Sequence, residues 1–339
     1  MSQTPPITML TDFLDQHSAV GSPQIKASCA AIHALADAAA QISALIRQPH
    51  PTANLGAVKG SANADGDAQK ALDVMADEII TAALRTSGVA LYLSEEQDAP
   101  IPLNDDGLVI VASDPLDGSS NIDTNVSVGT IFSVTDVAGG ILQKGRDQLA
   151  AGFFVYGPQT SLLLTLGDGV FAFQMDDNGA FHAVPWNVPQ DTGHDGDWGR
   201  VTISDKGAEF AINASNQRHW EAPIAAYIGD CFAGTDGPIG RNFNMRWIGS
   251  LVADGWRIFR RGGVFLYPAD RRAGYEDGRL RLVYEAAPIA LLVEQAGGTA
   301  TSGNEDILDI MPTNLHQRVS FMFGSKIEID LILSYCNVI

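Results

Sequence analysis

Two apolar runs that stop abruptly in carboxylates constrain this chain most. Val89–Leu93 is followed by Glu95-Glu96, and Leu108–Ala112 by Asp114 and Asp117. Short apolar runs bounded by turn residues read as buried strands. A strand that is apolar almost to its end and then acidic predicts a sheet edge that gathers charge, the place where open α/β sheets bind ligands. Acids dominate the whole chain as well: Asp and Glu total 40 against 21 Lys and Arg, a formal charge of -19. Such a surface repels polyphosphate backbones and anionic lipid, which argues against nucleic acid or a membrane surface as partner.

The remaining pattern predicts a mixed α/β (α+β) chain in two layered halves. Its 339 residues, 45% of them apolar, suffice for about two domains. A stretch rich in Pro, Gly and Asp, Pro185–Gly199, divides them into 1–199 and 200–339. Residues 24–47 read as an amphipathic helix with Ile25, Ile32, Leu35, Ala39, Ile42 and Ile46 on one stripe. Gly60 to Asp67 reads as a mobile loop, and a second helix follows with Leu72, Met75, Ile79 and Leu84 as its buried face. From Ile131 to Val184 the spacing predicts an antiparallel meander, its runs Leu162–Leu166, Val170–Met175 and Ala180–Val184 separated by hairpin signals. Leu280–Tyr284 reads as a strand and Pro288–Gln295 as a helix stopped by Gly297-Gly298. No apolar run approaches the roughly 20 residues that span a bilayer. Cys29, Cys231 and Cys336 are too scattered for a disulfide framework or a zinc site, and no signal peptide is visible, so a reducing cytoplasm is expected.

The chemistry centres on Asp114-Pro115-Leu116-Asp117-Gly118-Ser119-Ser120-Asn121. Two Asp three residues apart, with Pro115 stiffening the turn, can aim both carboxylates at one point. Gly118 permits close backbone approach, and Ser119 and Ser120 add amide and hydroxyl donors. Hard oxygen ligands beside a nest of N–H groups suit a divalent cation bridging to phosphate. A bare Asp-x-x-Asp-Gly is equally an Asx-turn at a strand end. Glu95-Glu96 alone is more often a solvated turn, Glu285 reads equally as a helix N-terminal acid, and Asp67 and Asp73 bracket the start of a helix.

These segments occur together in one order, and in that order the chain resembles the class I fructose-1,6-bisphosphatases. Leu93-Ser94-Glu95-Glu96, Asp114 to Asp123 and Gly278 to Gly298 look like that family's metal-site and signature segments. Gly129-Thr130-Ile131-Phe132, Gly249 to Asp254 and Gly263 to Pro268 extend the likeness over nearly the whole chain. An Asp-Pro-x-Asp-Gly alone would mark only the wider superfamily that includes inositol monophosphatases. The resemblance implies a layered α-β-α-β-α fold with two mixed sheets. It also implies Mg²⁺, two to three ions per site with Mn²⁺ able to substitute, held by Glu95, Asp114, the Leu116 carbonyl, Asp117 and Glu285. By the same resemblance Glu96, Asp67 and Asp73 complete a third metal position and hold the attacking water, and Arg281 supports Asp67. Gly118, Ser119 and Ser120 would contact the phosphate at C1 of the sugar.

For the second phosphate the resemblance points to Asn213, Arg246, Tyr267 and Arg279, with Arg246 reaching a neighbouring site in a homotetramer. Trp247 and Asn216 stand where Tyr is usual, and Arg279 where Lys is usual, so sedoheptulose-1,7-bisphosphate is an alternative substrate. Leu108, Val109 and Asp136 occupy the positions that grip AMP in animal relatives; a neutral pair and an acid cannot hold a nucleotide phosphate, so AMP inhibition is not expected. A silent sugar-phosphate sensor remains a rival reading, weakened by the presence of every metal-binding acid.

Overall fold

The computed structural model describes residues 9–47, 58–62, 68–186 and 200–336. Two helices, α1 (Leu10–Val20) and α2 (Pro23–Arg47), open the chain. Strands β1 (Val58–Ala62) and β2 (Ala68–Lys70) pair antiparallel ahead of α3 (Ala71–Leu84). Gly60 to Ala62, expected in a loop, is therefore strand, and Asp67 lies outside the described residues. Then come β3 (Leu91–Ser94), β4 (Ile101–Pro102), β5 (Val109–Asp117), β6 (Val128–Asp136), β7 (Gln148–Tyr156), β8 (Thr160–Thr165), β9 (Val170–Met175) and β10 (Phe181–Ala183). They form one sheet in the order β10-β9-β8-β7-β6-β5-β3-β4. From β5 to β10 each strand pairs antiparallel with the next, as the meander pattern predicts. Among the described strands of this sheet only β3 and β5 run parallel, which brings the two acidic strand ends to the same edge.

The second half adds β11 (Arg200–Val201), β12 (Glu209–Ala211), α4 (Ala222–Ala233), β13 (Asn244–Met245), α5 (Leu251–Arg261) and β14 (Val264–Tyr267). After these come β15 (Leu280–Arg281), α6 (Ala287–Gln295), β16 (Thr299–Thr301), β17 (Arg318–Val319), β18 (Phe321–Gly324) and α7 (Lys326–Cys336). A five-stranded sheet runs β13-β12-β14-β18-β16, while β11 pairs with β9 of the first sheet. Leu280–Tyr284 is strand only at Leu280–Arg281. Leu282–Ala286 instead winds into one π-turn before α6, because Glu285 must turn inward rather than alternate across a sheet.

Period-two alternation sorts the layers. Phe132, Phe154, Leu162 and Leu164 join the core under α1, α2 and α3, while Ile131, Phe153 and Leu163 face the opposite core with α5 and α6. Phe265 and Phe323 of the second sheet close that middle core. On the sheet's other face Phe210, Val264 and Leu266 pack with Ile224 and Tyr227 of α4 and Ile329 of α7. The result is the five-layered α-β-α-β-α arrangement that the sequence led us to expect. The buried face of α3 is Leu72, Ala76, Ile80 and Leu84; Met75 and Ile79, expected on it, are only partly buried. Helix α2 is, against expectation, long and apolar enough to cross a membrane by composition, but half of its most apolar stretch is buried inside the protein.

Candidate active site

Asp114 and Asp117 lie three apart, so in a regular strand they would point to opposite faces. A bulge corrects this: opposite Asp114 stands Ile131, and opposite Asp117 stands Gly129, so β5 spends one residue more than β6 over that interval. Pro115, with no N–H to pair, sits within the bulge, and its carbonyl accepts from Thr130 Oγ1 at 2.8 Å. A side chain at Gly129 would meet the Phe154 carbonyl at 2.1 Å, so the partner strand must be bare there. Gly118 then turns the chain at φ +75° into the short turn Ser119–Asn121.

The acids are fixed by backbone. The Leu116 N–H donates to Asp114 Oδ1 at 3.0 Å. Asp117 Oδ2 accepts from Ser250 Oγ and from the Val252 N–H, both at 2.9 Å, at the N-terminal end of α5. Glu285 Oε2 accepts the Arg281 N–H at 2.5 Å across the π-turn. One carboxylate oxygen each from Asp114, Asp117 and Glu285 lies within 4.8 Å of the others, and all three residues are buried. Glu95 faces this group from the end of β3, its N–H bonded to the Ser113 carbonyl and its Oε1 3.5 Å from Arg281 Nε.

Such crowding shifts the ionisation of these acids. Burial first, and then the charges of Glu95, Asp117 and Glu285, hold the Asp114 carboxyl well above its ordinary range. Glu285 rises for the same reasons, burial ahead of Glu95. Glu95 is pushed up to about 7 by desolvation, against the pull of Arg281. Burial also raises Asp117, partly offset by the Val252 and Ser250 donors. Two like charges near 4 Å repel by about 4 kcal/mol at an effective dielectric near 20. An all-oxygen set of ionisable groups that resist ionising together is what a hard divalent cation relieves, so the residues fit a divalent metal.

The remaining predicted residues divide. Asp73 is buried in the first turn of α3 and close enough to raise Glu95; Glu96 likewise adds to Asp114. A cleft of about 470 Å³ is lined by Glu95, Asp117, Gly118, Ser120 and Glu285 at one end and by Asn213, Tyr267 and Arg279 at the other. Arg281, expected beside Asp67, is buried and pairs with Glu95 among the described residues. Arg246 does not line the cleft of its own chain; its guanidinium donates to the Met245 carbonyl.

The structural roles of several residues escaped sequence reasoning. Ser250 and Val252 hold Asp117, and buried Asp254 accepts the Ile248 and Gly249 N–H groups, fixing the turn before α5. Trp247 stacks on Phe265 at 5.9 Å to form a wall of the cleft, which Arg318 also lines. A Ser before an apolar-periodic run was the available signal for the α5 terminus.

Residues 10–185 match the N-terminal domain of fructose-1,6-bisphosphatase, and residues 203–337 match its C-terminal domain. The chain belongs to the fructose-1,6-bisphosphatase family. Among curated relatives it is 49% identical over 336 residues to the class 1 fructose-1,6-bisphosphatase of Azorhizobium caulinodans, covering 96% of this chain and 98% of that one. A class 1 fructose-1,6-bisphosphatase of Nitrobacter hamburgensis is 52% identical over 299 residues, covering 87% and 83% respectively. The crystal structure of the Leishmania major fructose-1,6-bisphosphatase in holo form superposes with a TM-score of 0.85 at 34% identity, covering 98% of this chain and 99% of that one. The apo form of that enzyme superposes with a TM-score of 0.81. Both sheets and all five layers are thus a fructose-1,6-bisphosphatase fold.

Proposed function

We propose that this chain hydrolyses the C1 phosphate of fructose 1,6-bisphosphate, giving fructose 6-phosphate and inorganic phosphate. The observation that carries the reading is the convergence of Asp114, Asp117 and Glu285, drawn from two distant stretches, with Asp117 and Glu285 lining one end of a cleft. In this reading the half spanning 1–199 supplies Glu95, Asp114 and Asp117, and the half spanning 200–339 supplies Glu285 and the far end of the cleft. Glu95, Asp114, the Leu116 carbonyl, Asp117 and Glu285 would hold Mg²⁺, or Mn²⁺ in its place. When bound, the ions neutralise the acids, polarise the phosphoryl group and acidify a water.

The protein groups do the rest. Asp73 with Glu96 takes the proton of the attacking water, and Asp67 completes that set. Gly118, Ser119 and Ser120 present N–H and hydroxyl donors to the C1 phosphate, at a turn whose glycine leaves the backbone bare. Arg281 keeps Glu95 in place through their ion pair. Asn213, Tyr267 and Arg279 take the second phosphate, with Arg246 of a neighbouring subunit completing that end in a homotetramer. A cytoplasmic setting accords with three free cysteines, Cys29, Cys231 and Cys336.

The deciding assay is phosphate release from fructose 1,6-bisphosphate with and without Mg²⁺. Release that depends on the metal is expected. Release unaffected by chelation, or faster turnover of inositol 1-phosphate than of the bisphosphate, would overturn the assignment.

A further inference from the structure

A second cavity, of about 320 Å³, is built on α5. It opens between Ser127 at the approach to β6, the β7–β8 turn at Gly157, Pro158 and Gln159, and one side of α5. Every charged residue among the described residues of its lining is an arginine: Arg257, Arg260 and Arg261. In a chain with 40 acids to 21 bases, an ordinary opening would meet about two acids for each base.

Cations near a helix C-terminus often serve only to offset the macrodipole, which amounts to about half a charge. Three exceed that. Arg257 is neutralised by two bonds to Glu209, at 2.7 and 2.8 Å. Arg260 is held by the Trp186 carbonyl at 2.7 Å and stacks on that indole at 4.4 Å, partners that fix its guanidinium without cancelling its charge. Arg261 is exposed and makes no ion pair or side-chain hydrogen bond among the described residues. Among the described residues the cavity therefore keeps positive charge to spare. Its other walls are largely apolar, from Val155, Pro158, Ile248 and Trp256, with the hydroxyls of Ser127 and Ser161 and the amide of Gln159 between them.

We propose that this cavity binds a small anion carrying a flat apolar body, such as an aryl carboxylate, sulfonate or phosphate. A guanidinium fork pairs with the planar or tetrahedral oxyanion, and the indole and aliphatic wall takes the ring. The site is separate from the acid cleft and does not rest on the hydrolytic reading, yet the two share a wall, since Ile248 lines both. The Ile248 N–H is anchored on Asp254, and the same helix end holds Asp117. An occupant pressing on Ile248 thus bears on the turn that positions a proposed metal ligand.

The test is calorimetric titration of the whole protein, Mg²⁺ present, with 2-naphthalenesulfonate. Submillimolar binding is expected, weakened about tenfold by R261E and by high salt but largely kept by R261K. The neutral sulfonamide should bind less tightly than the sulfonate. Equal binding to wild type and R261E, or none at millimolar probe, would overturn the site. Phosphate release measured alongside reads the shared wall: bound probe should change turnover in wild type and leave R261E unchanged, and constant turnover at saturation would overturn the link through Ile248. Failure of the bisphosphatase assay itself would leave the binding result standing.

Discussion

The two ends of the cleft are built by opposite means. At the acid end Asp114, Asp117 and Glu285 are only 7%, 6% and 6% exposed, and each carboxylate is pinned by backbone N–H groups from a strand, a helix terminus or a π-turn. At the far end Arg279 is exposed, and Asn213 and Tyr267 are half-buried on separate elements. Arg279 leans on Tyr275 at 5.1 Å but has no ion pair among the described residues. Under the proposed function, the contrast follows from what each end must do. A reacting phosphoryl group demands ligands placed within fractions of an ångström, and strain among like charges can be tolerated because cations remove it. A remote phosphate is gripped alike in ground and transition states, so a looser, wetter grip suffices.

If that division is right, substitutions at the two ends should fail differently. The largest effect is expected at the acid end: Asp114→Asn should cost about 3 kcal/mol of transition-state stabilisation, roughly a hundredfold or more in kcat. Wild-type turnover in that variant would break the comparison outright. Next, Arg279→Ala should raise KM about tenfold while kcat stays near wild type. A kcat loss as large as the KM change would mean that both ends act in the chemical step.

The cation-free protein sharpens the comparison further through pH. Glu95, Asp114 and Glu285 have carboxyl groups raised in the fold, Glu95 to about 7. The folded state then holds protons that the unfolded chain has released. Stability from these groups is present below the ordinary carboxylate range of about 4.3 and is lost as pH rises through about 7. Without Mg²⁺ the melting temperature should fall by a few degrees between about pH 5 and pH 8, and added Mg²⁺ should flatten the trend. A melting temperature that rises over that window would contradict the crowding. The smallest effect is expected farthest from either end: AMP should leave turnover unchanged. Val109 is buried in β5 opposite Asp136, whose side chain is taken up capping the Ala138 N–H. Micromolar inhibition by AMP would show that this edge of the sheet still holds a nucleotide.

What could be read from the residues follows the same divide. The strand-end acids were legible because burial writes an apolar run and function then breaks it with charge, all within a dozen residues. The meander was legible because hairpin turns are local chemistry. By contrast, the supports of Asp117 come from Ser250 and Val252, more than 130 residues away, and no local period encodes them. Glu285 was found through the motif around it, but Leu282–Tyr284 was misread as strand, since an apolar run before an acid looks the same whether it extends or coils. Helix α1 was missed for a related reason: Leu10, Phe13 and Leu14 form too short a stripe to stand out, and they are buried only because the sheet lies beneath them.

The π-turn at Leu282–Ala286 has a consequence for how the protein matures. Three acids of the cluster leave the ribosome early, but the last cannot reach them until the chain has been made past residue 285 and the second sheet has docked. A nascent or truncated polypeptide can therefore be compact, with its first sheet complete through β10, and still lack an assembled centre. Competence arrives late, as a single event, so hydrolysis itself reports that synthesis and docking have finished.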